Sequence, residues 1–249
     1  MSRLDVQIPA PDGQSNASLH IPDGTGPHPG VLMFPDAGGL RETFRQMGDH
    51  LAGLGFVALI PDIYYRAGDW APFDLATVFT DPDERARLGS LMGVLTGDPD
   101  LAAGDARAYA EFLLNRPEVS GERIGTTGYC VGGWLSLTAA THLGETIGAA
   151  ASFHGGRIAI ADEPNSPHLA AGRIRATVYA AGALEDSSFT AEQAELLDNA
   201  LTEAGVEHTV EFYQAHHGFA VPDNPTYDAD ADARHWAALT QLYRTRLVS

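Results

Sequence analysis

Short apolar runs alternate with longer segments of helical apolar spacing along most of the chain. Runs such as GVLMF and IGAAASF contain almost no polar side chain, which predicts buried strands. The predicted strands are 30–34, 56–60, 123–129, 147–153, 176–182 and, nearer an edge, 208–213. The segments LDVQI and ASLHI are predicted to add an antiparallel edge ribbon.

Helices are predicted between these strands from apolar spacing of three and four residues. They are 44–54, 101–115, 131–142, 191–204 and 228–246. The alternation predicts an α/β fold, with a mostly parallel central sheet and helices on both faces. No repeat or linker divides the sequence, so residues 1–249 are predicted to form one domain. The less regular stretch 65–98 is interpreted as a flap that carries short helical pieces.

Charge and composition remove several function classes. The formal net charge of −18, from 15 basic and 33 acidic residues, disfavours nucleic acid binding. All basic residues are arginine, which excludes a Schiff-base lysine, a pyridoxal-phosphate anchor and a Walker A lysine. No apolar run is long enough to span a bilayer, and no secretory leader is recognised. A single cysteine permits no internal disulfide, so we expect a cytoplasmic protein without membrane association.

The segment GYCVGG places this lone cysteine, Cys130, between a predicted strand and a predicted helix. A nucleophile on a strained strand-to-helix turn requires small neighbours, and Gly128 and Gly132 satisfy that requirement. The start of the helix would favour the thiolate, and the amide of Val131 could bind an oxyanion. The alternative is a buried structural thiol, the common fate of a lone cysteine.

A base and an acid are predicted after the last two strands. His216 and His217 follow the final strand, and His217 is preferred because Gly218 permits a tight loop beside it. After the preceding strand the sequence offers Glu185 and Asp186, of which Asp186 is preferred. The order nucleophile, acid, base is that of α/β-hydrolases. The alternative for each is a solvated side chain.

The motifs GYCVGG, PDIYYR, FHGG and HGFA resemble those of the dienelactone hydrolase family, and the resemblance covers nearly the whole chain. It implies a Cys-His-Asp triad that hydrolyses an enol-lactone of the dienelactone (carboxymethylenebutenolide) type through an acyl-cysteine. It also implies no metal and no organic cofactor. By position, Ala37 would supply a second oxyanion amide, and Asp36 would modulate the nucleophile, where the family more often has glutamate.

The same resemblance implies arginines that bind a substrate carboxylate. Arg87 is the candidate, with Arg85 on the adjoining turn, although Arg87 could instead pair with Asp83 or Glu84. Where the family's lactone hydrolases carry a second arginine, this chain has Val221, which weakens the case for a dienelactone substrate.

Two rival functions stay open. The first is a broader carboxylesterase or thioesterase on the same scaffold, and the second is a non-catalytic ligand-binding protein. A metal enzyme is disfavoured because no HExxH or comparable spacing is present. The expected partner is a small-molecule ester or lactone, and the expected assembly is a monomer or a homodimer.

Overall fold

An eight-stranded sheet runs through the centre of the structure, a computed structural model that describes residues 1–78 and 80–248. Its strands are β1 (Ser2–Ala10), β2 (Gly13–Ile21), β3 (His28–Phe34), β4 (Val57–Pro61), β5 (Val119–Tyr129), β6 (Ile147–Phe153), β7 (Thr177–Glu185) and β8 (His208–His216). The strand order is β1-β2-β4-β3-β5-β6-β7-β8. Strands β3 to β8 are parallel, whereas the hairpin β1–β2 is antiparallel and pairs with β4. The predicted fold class and edge ribbon are confirmed.

Six α-helices of the described chain cover both faces of this sheet. They are α1 (Glu42–Gly53), α2 (Pro82–Gly97), α3 (Pro99–Leu114), α4 (Val131–Leu143), α5 (Ala191–Glu203) and α6 (Ala229–Arg246). Successive strand residues alternate between two cores: Val31 and Met33 pack with α1 and α6, and Leu32 and Phe34 pack with the other helices. Within residues 1–78 and 80–248, no helix has the length and apolar character needed to cross a bilayer.

The stretch predicted as short helical pieces contains one 16-residue helix, α2. The Asp81 carboxylate accepts hydrogen bonds from the amides of Asp83 and Glu84, and Pro82 occupies the first turn, so the helix start is well specified. Its apolar residues do not form one stripe, which explains why spacing alone did not predict it.

Most strands extend beyond their predicted limits, and three of these extensions bear on the site. Strand β5 begins at Val119, β7 continues to Glu185, and β8 continues to His216. The residues directly after β7 and β8 are therefore Asp186 and His217. Parallel strands bring their carboxyl ends to one edge of the sheet, where ligands of open α/β folds bind.

Candidate active site

Cys130 occupies a sharp turn between β5 and α4. Its φ of 54° and ψ of −119° lie in a region that side-chain-bearing residues rarely adopt. A Cβ atom on Gly128 would lie 1.8 Å from the carbonyl oxygen of Gly132, and one on Gly132 would lie 2.4 Å from that of Phe34. The elbow therefore forms only when both flanking positions are glycine.

The Cys130 side chain is half-buried and lies at the N-terminus of α4, where the helix dipole favours an anion. The backbone amide of Cys130 donates to two acceptors. The carbonyl oxygen of Phe153 lies 3.2 Å from the Cys130 nitrogen, and the Nδ1 atom of His154 also lies 3.2 Å from it. The strained turn is thus fixed by the end of β6 and the residue after it, and Cys130 lines a cavity.

His217 lines the same cavity, and its ring is bound to Asp186. The Nδ1 atom lies 2.7 Å from Asp186 Oδ2, and the Asp186 side chain is only 1% exposed. Burial opposes protonation of His217, but the hydrogen bond to Asp186 and the adjacent Cys130 sulfur outweigh it and raise the pKa of His217 to about 10. Burial likewise opposes ionisation of Asp186, yet its bonds to His217 and Ser188 lower the pKa of Asp186. The carboxylate therefore fixes the orientation of the imidazole.

The neighbouring alternatives face outward. His216 and Glu185 lie opposite one another in the β7–β8 ladder, and their side chains, 58% and 63% exposed, approach to 3.5 Å. Successive residues at a strand end point to opposite sides. The structure thus pairs Asp186 with His217, which lines the cavity, and leaves Glu185 and His216 at the protein surface.

Ala37 and Val131 also line the cavity beside Cys130. Val131 is the first residue of α4, and amides in the first turn of a helix have no acceptor within it. The Ala37 carbonyl oxygen accepts a hydrogen bond of 3.0 Å from the Tyr64 hydroxyl, which anchors the loop after β3. Both predicted oxyanion residues are therefore at the cavity wall.

Asp36 is not hydrogen-bonded to the cysteine. Its Oδ1 and Oδ2 atoms accept bonds of 2.6 and 3.0 Å from Arg41, and Oδ1 also accepts from the Gly38 amide at 2.8 Å. Both oxygens of this short side chain are thus bound to an adjacent guanidinium, and the role of Asp36 in modulating the nucleophile stays a prediction.

Arg87 is placed outside the cavity lining. Its guanidinium donates bonds of 2.8 Å to Glu84 and to the carbonyl oxygen of Ala71, and it lies 3.8 Å from the centroid of the Phe73 ring. This arginine ties α2 to the segment before it, and Arg85 on the next turn is exposed. Two of the five N–H donors of Arg87 are used locally and its side chain does not line the cavity beside Cys130, so its role in binding a substrate carboxylate stays a prediction.

The cavity itself has a volume of about 470 Å³. Apolar side chains form much of its wall, notably Met92 from α2, Trp134 from α4 and Ile160. Thr96, Gly156, Arg157, Ser187, Ser188 and Gln193 complete the lining with the residues named above. Its size suits a small organic ester.

Sequence comparisons agree with this architecture. Residues 16–247 match the pattern of the family described as "Dienelactone hydrolase family". The match covers most of the chain, including the elbow and both loops that carry Asp186 and His217. The chain belongs to the dienelactone hydrolase family. The predicted family and enzyme class, a carboxylic ester hydrolase, are thereby confirmed.

Individual relatives of this dienelactone hydrolase family member are similar over nearly their full length. A Synechocystis protein named "Putative carboxymethylenebutenolidase" is 30% identical, over 97% of this chain and 96% of its own. The carboxymethylenebutenolidase of Pseudomonas sp. strain P51 is 25% identical, over 88% and 85%. Among solved structures, the dienelactone hydrolase-like promiscuous phosphotriesterase P91, from metagenomic libraries, is 28% identical with a TM-score of 0.83 and covers 98% of both chains.

Sequence reasoning missed two residues of this family member's site. Arg157 lines the cavity and donates a 2.6 Å bond to Glu163, and His154 lies behind Cys130. Both flank the Gly155–Gly156 pair of the FHGG motif, directly after β6. The signal that could have found them is this position, because β6 neighbours the strand that carries the nucleophile.

Proposed function

We propose that this chain hydrolyses a carboxylic ester or lactone through Cys130, His217 and Asp186, by way of an acyl-cysteine. The observation that carries the proposal is one shared cavity. Cys130 lines it from a strained elbow, and His217 lines it from a ring that Asp186 orients at 2.7 Å. Nucleophile, base and orienting acid then stand in the relation that nucleophilic acyl transfer requires.

The proposed mechanism begins from a protonated His217. The pKa of this imidazole is raised to about 10, so it carries a proton at neutral pH, and the proposal takes the thiolate as the reacting form of Cys130 beside it. The thiolate attacks the acyl carbon, and the amides of Ala37 and Val131 bind the oxyanion. Each such donor contributes about 2.7–4 kcal/mol in a related acyl transfer.

Collapse of this intermediate breaks the bond to the leaving oxygen. The His217 imidazolium gives its proton to the departing alkoxide or enolate, and the acyl group remains on Cys130. The neutral imidazole then takes a proton from water, which attacks the thioester. The carboxylic acid leaves, and the thiolate–imidazolium pair is restored.

The family favours an enol-lactone of the dienelactone (carboxymethylenebutenolide) type as substrate. Among the described lining residues, Arg157 is the arginine that a substrate carboxylate would meet. Its charge is already paired with Glu163, and neutral side chains form most of the surrounding wall. This pairing favours a second candidate, a broader esterase or thioesterase that accepts neutral acyl groups. A phosphotriester belongs in the same test because the P91 relative is named for that activity.

The test is a substrate panel run on wild type and on Cys130→Ala. We expect turnover of a dienelactone or an aryl ester, and a loss of at least about 10³-fold in kcat/KM for Cys130→Ala. Thioester and phosphotriester arms define the breadth of the site. Mass spectrometry of wild type quenched during turnover should find the acyl group on Cys130.

The control is the fold of the variant, followed by circular dichroism and thermal midpoint. Full turnover by folded Cys130→Ala would contradict the cysteine mechanism. A wild type that binds these compounds and hydrolyses none would favour the non-catalytic binding protein.

A further inference from the structure

Arg41 is a nearly buried arginine that binds two carboxylates from distant parts of the chain. Its side chain is 9% exposed. The guanidinium donates to Asp36 at 2.6 and 3.0 Å and to Asp223 at 2.7 Å through both Nε and Nη2. It also lies 4.9 Å from the centroid of the Phe44 ring. Arg41 and Asp223 are separated by 182 residues, so this contact joins two loops that the sequence does not connect.

The first loop follows β3 and carries Ala37 directly after Asp36. Asp36 shapes this loop: its carbonyl oxygen accepts from the Gly39 amide at 2.9 Å, and its side chain accepts from Gly38. Arg41 binds both oxygens of the same carboxylate, one of them together with the Gly38 amide. The position of the Ala37 amide at the cavity wall therefore depends on where Arg41 holds Asp36.

The second loop follows β8 and begins with His217. Thr226 donates its hydroxyl to the His217 carbonyl oxygen, and the Asp228 amide donates to Phe219 at 3.1 Å, so the loop folds back on itself. Asp223 lies within it, and Thr43 adds a 2.6 Å bond to the same carboxylate. Arg41 is thus the side chain through which the loop carrying His217 is tied to the loop carrying Ala37.

We propose that Arg41 is a positioning residue that sets the distance between the oxyanion amide of Ala37 and the imidazole of His217. This inference rests on the proposed function, which gives Ala37 and His217 their roles. Small displacements of reacting groups are costly, and about 1 Å of misplacement can lower a rate by about 10²-fold. Arg41 also neutralises Asp36, whose bare carboxylate would otherwise repel an oxyanion at the adjacent amide.

The competing explanation is a structural ion pair that only stabilises the fold, and the chain offers a matched control. Arg66 also binds two carboxylates, donating to Asp12 at 2.7 Å and to both oxygens of Asp105, and it lies 4.7 Å from the Tyr65 ring centroid. Its side chain is 16% exposed, and it does not belong to the lining of the cavity that holds Cys130. Loss of either arginine removes similar contacts, but only Arg41 joins loops of the proposed site.

The experiment compares Arg41→Ala and Arg41→Lys with Arg66→Ala and Arg66→Lys on the best ester of the panel. For Arg41→Ala we expect kcat to fall about 10²-fold with KM changed less than about threefold. Arg41→Lys keeps the charge but lacks the planar fork that binds two carboxylates, so it should recover only part of that loss. Added guanidinium ion should restore part of kcat in Arg41→Ala and leave the other variants unchanged. Both Arg66 variants should retain kcat within about twofold while their thermal midpoints fall.

Asp223→Ala serves if Arg41→Ala fails to fold. It opens only the link to the His217 loop, leaves the pair between Arg41 and Asp36 in place, and should lower kcat about tenfold. An Arg41→Ala or Asp223→Ala enzyme with the kcat of wild type would overturn the role of Arg41, as would equal loss of kcat in the Arg66 variants. A wild type without turnover would instead contradict the proposed function, which the same assay detects first.

Discussion

The loop after β6 places His154 behind Cys130, and the loop after β8 places His217 beside it. The pKa values of the two rings are nevertheless shifted in opposite directions. The centroids of His154 and His217 lie 5.0 Å apart. Burial, reinforced by the nearby His217 and His235, lowers the pKa of His154 well below its ordinary value of 6.5. The pKa of His217 is raised to about 10 by Asp186 and Cys130 in spite of burial. Environment, not residue type, separates these two imidazoles.

The difference has a structural origin in the hydrogen-bond partners. His217 donates from Nδ1 to a carboxylate, whereas His154 Nδ1 accepts from the Cys130 amide and therefore carries no proton. The His154 Nε2 atom is buried without a hydrogen-bond partner among residues 1–78 and 80–248. A charge on His154 would be buried and would face the protonated ring of His217. His217 is therefore suited to transfer protons, and His154 is suited to bind the backbone amide of Cys130.

Replacing Asp186 should reduce the difference in pKa between His217 and His154, and we expect it to have the largest effect on activity. Asp186→Asn leaves His217 without a carboxylate and permits the wrong tautomer, so kcat/KM should fall about 10²–10⁴-fold. Glu185→Gln is the matched control, because it removes the adjacent acid from the surface pair with His216. Steady-state kinetics of both variants test the prediction. Similar losses in the two would show that Asp186 has no special relation to the base.

Replacing His154 should have an intermediate effect that depends on the acceptor. His154→Leu removes the bond to the Cys130 amide and should lower kcat about tenfold, the value of one hydrogen bond. Asparagine places an acceptor near the Nδ1 position and tolerates the φ of 39° found here, so His154→Asn should keep most activity. Kinetics normalised to folded protein separate the two variants. Equal activity in both would argue against a positioning role for the ring.

The last prediction concerns the pH dependence of stability, in which the two rings should act in opposite directions. The unfolded His154 binds a proton near pH 6.5 and the folded ring does not, so its contribution is lost as the pH falls below 6.5. His217 stabilises the fold below pH 6.5, and this contribution is lost as the pH rises from 6.5 to about 10.

Denaturant unfolding across this pH range checks the prediction. The free energy of unfolding of wild type minus that of His154→Leu should rise with pH on the acid side. The difference from His217→Gln should fall with pH on the alkaline side. Two differences of the same slope would contradict the opposite pKa shifts.

Local pattern was sufficient for the sheet and for the elbow, although not for α2. Apolar runs predicted the core strands. The glycines around Cys130 predicted a crowded turn, and the structure shows that crowding at Gly128 and Gly132. The choice between adjacent residues was harder. It depends on where β7 and β8 end, since one residue decides whether a side chain faces the cavity or the solvent.

The long-range ion pair of Arg41 could not be predicted from the sequence. The link from Arg41 to Asp223 spans 182 residues, and nothing near Arg41 indicates it. Arg87 had a visible local partner in Glu84, but its contact with the Phe73 ring requires the fold of the whole segment. Roles assigned by family position, such as that of Asp36, depend on such neighbours.

The two helices that frame the cavity differ in how freely their sequences can drift. Every residue of α4 except His142 is buried, so mutations there disturb the sulfur and the core together. In α2 the buried residues are Leu88, Leu95 and Thr96, and the helix still contributes Met92 and Thr96 to the wall. Substitutions in α2 can therefore change the wall of the cavity without disturbing the packed core that holds α4 and Cys130, so the shape of the pocket can be engineered apart from the elbow.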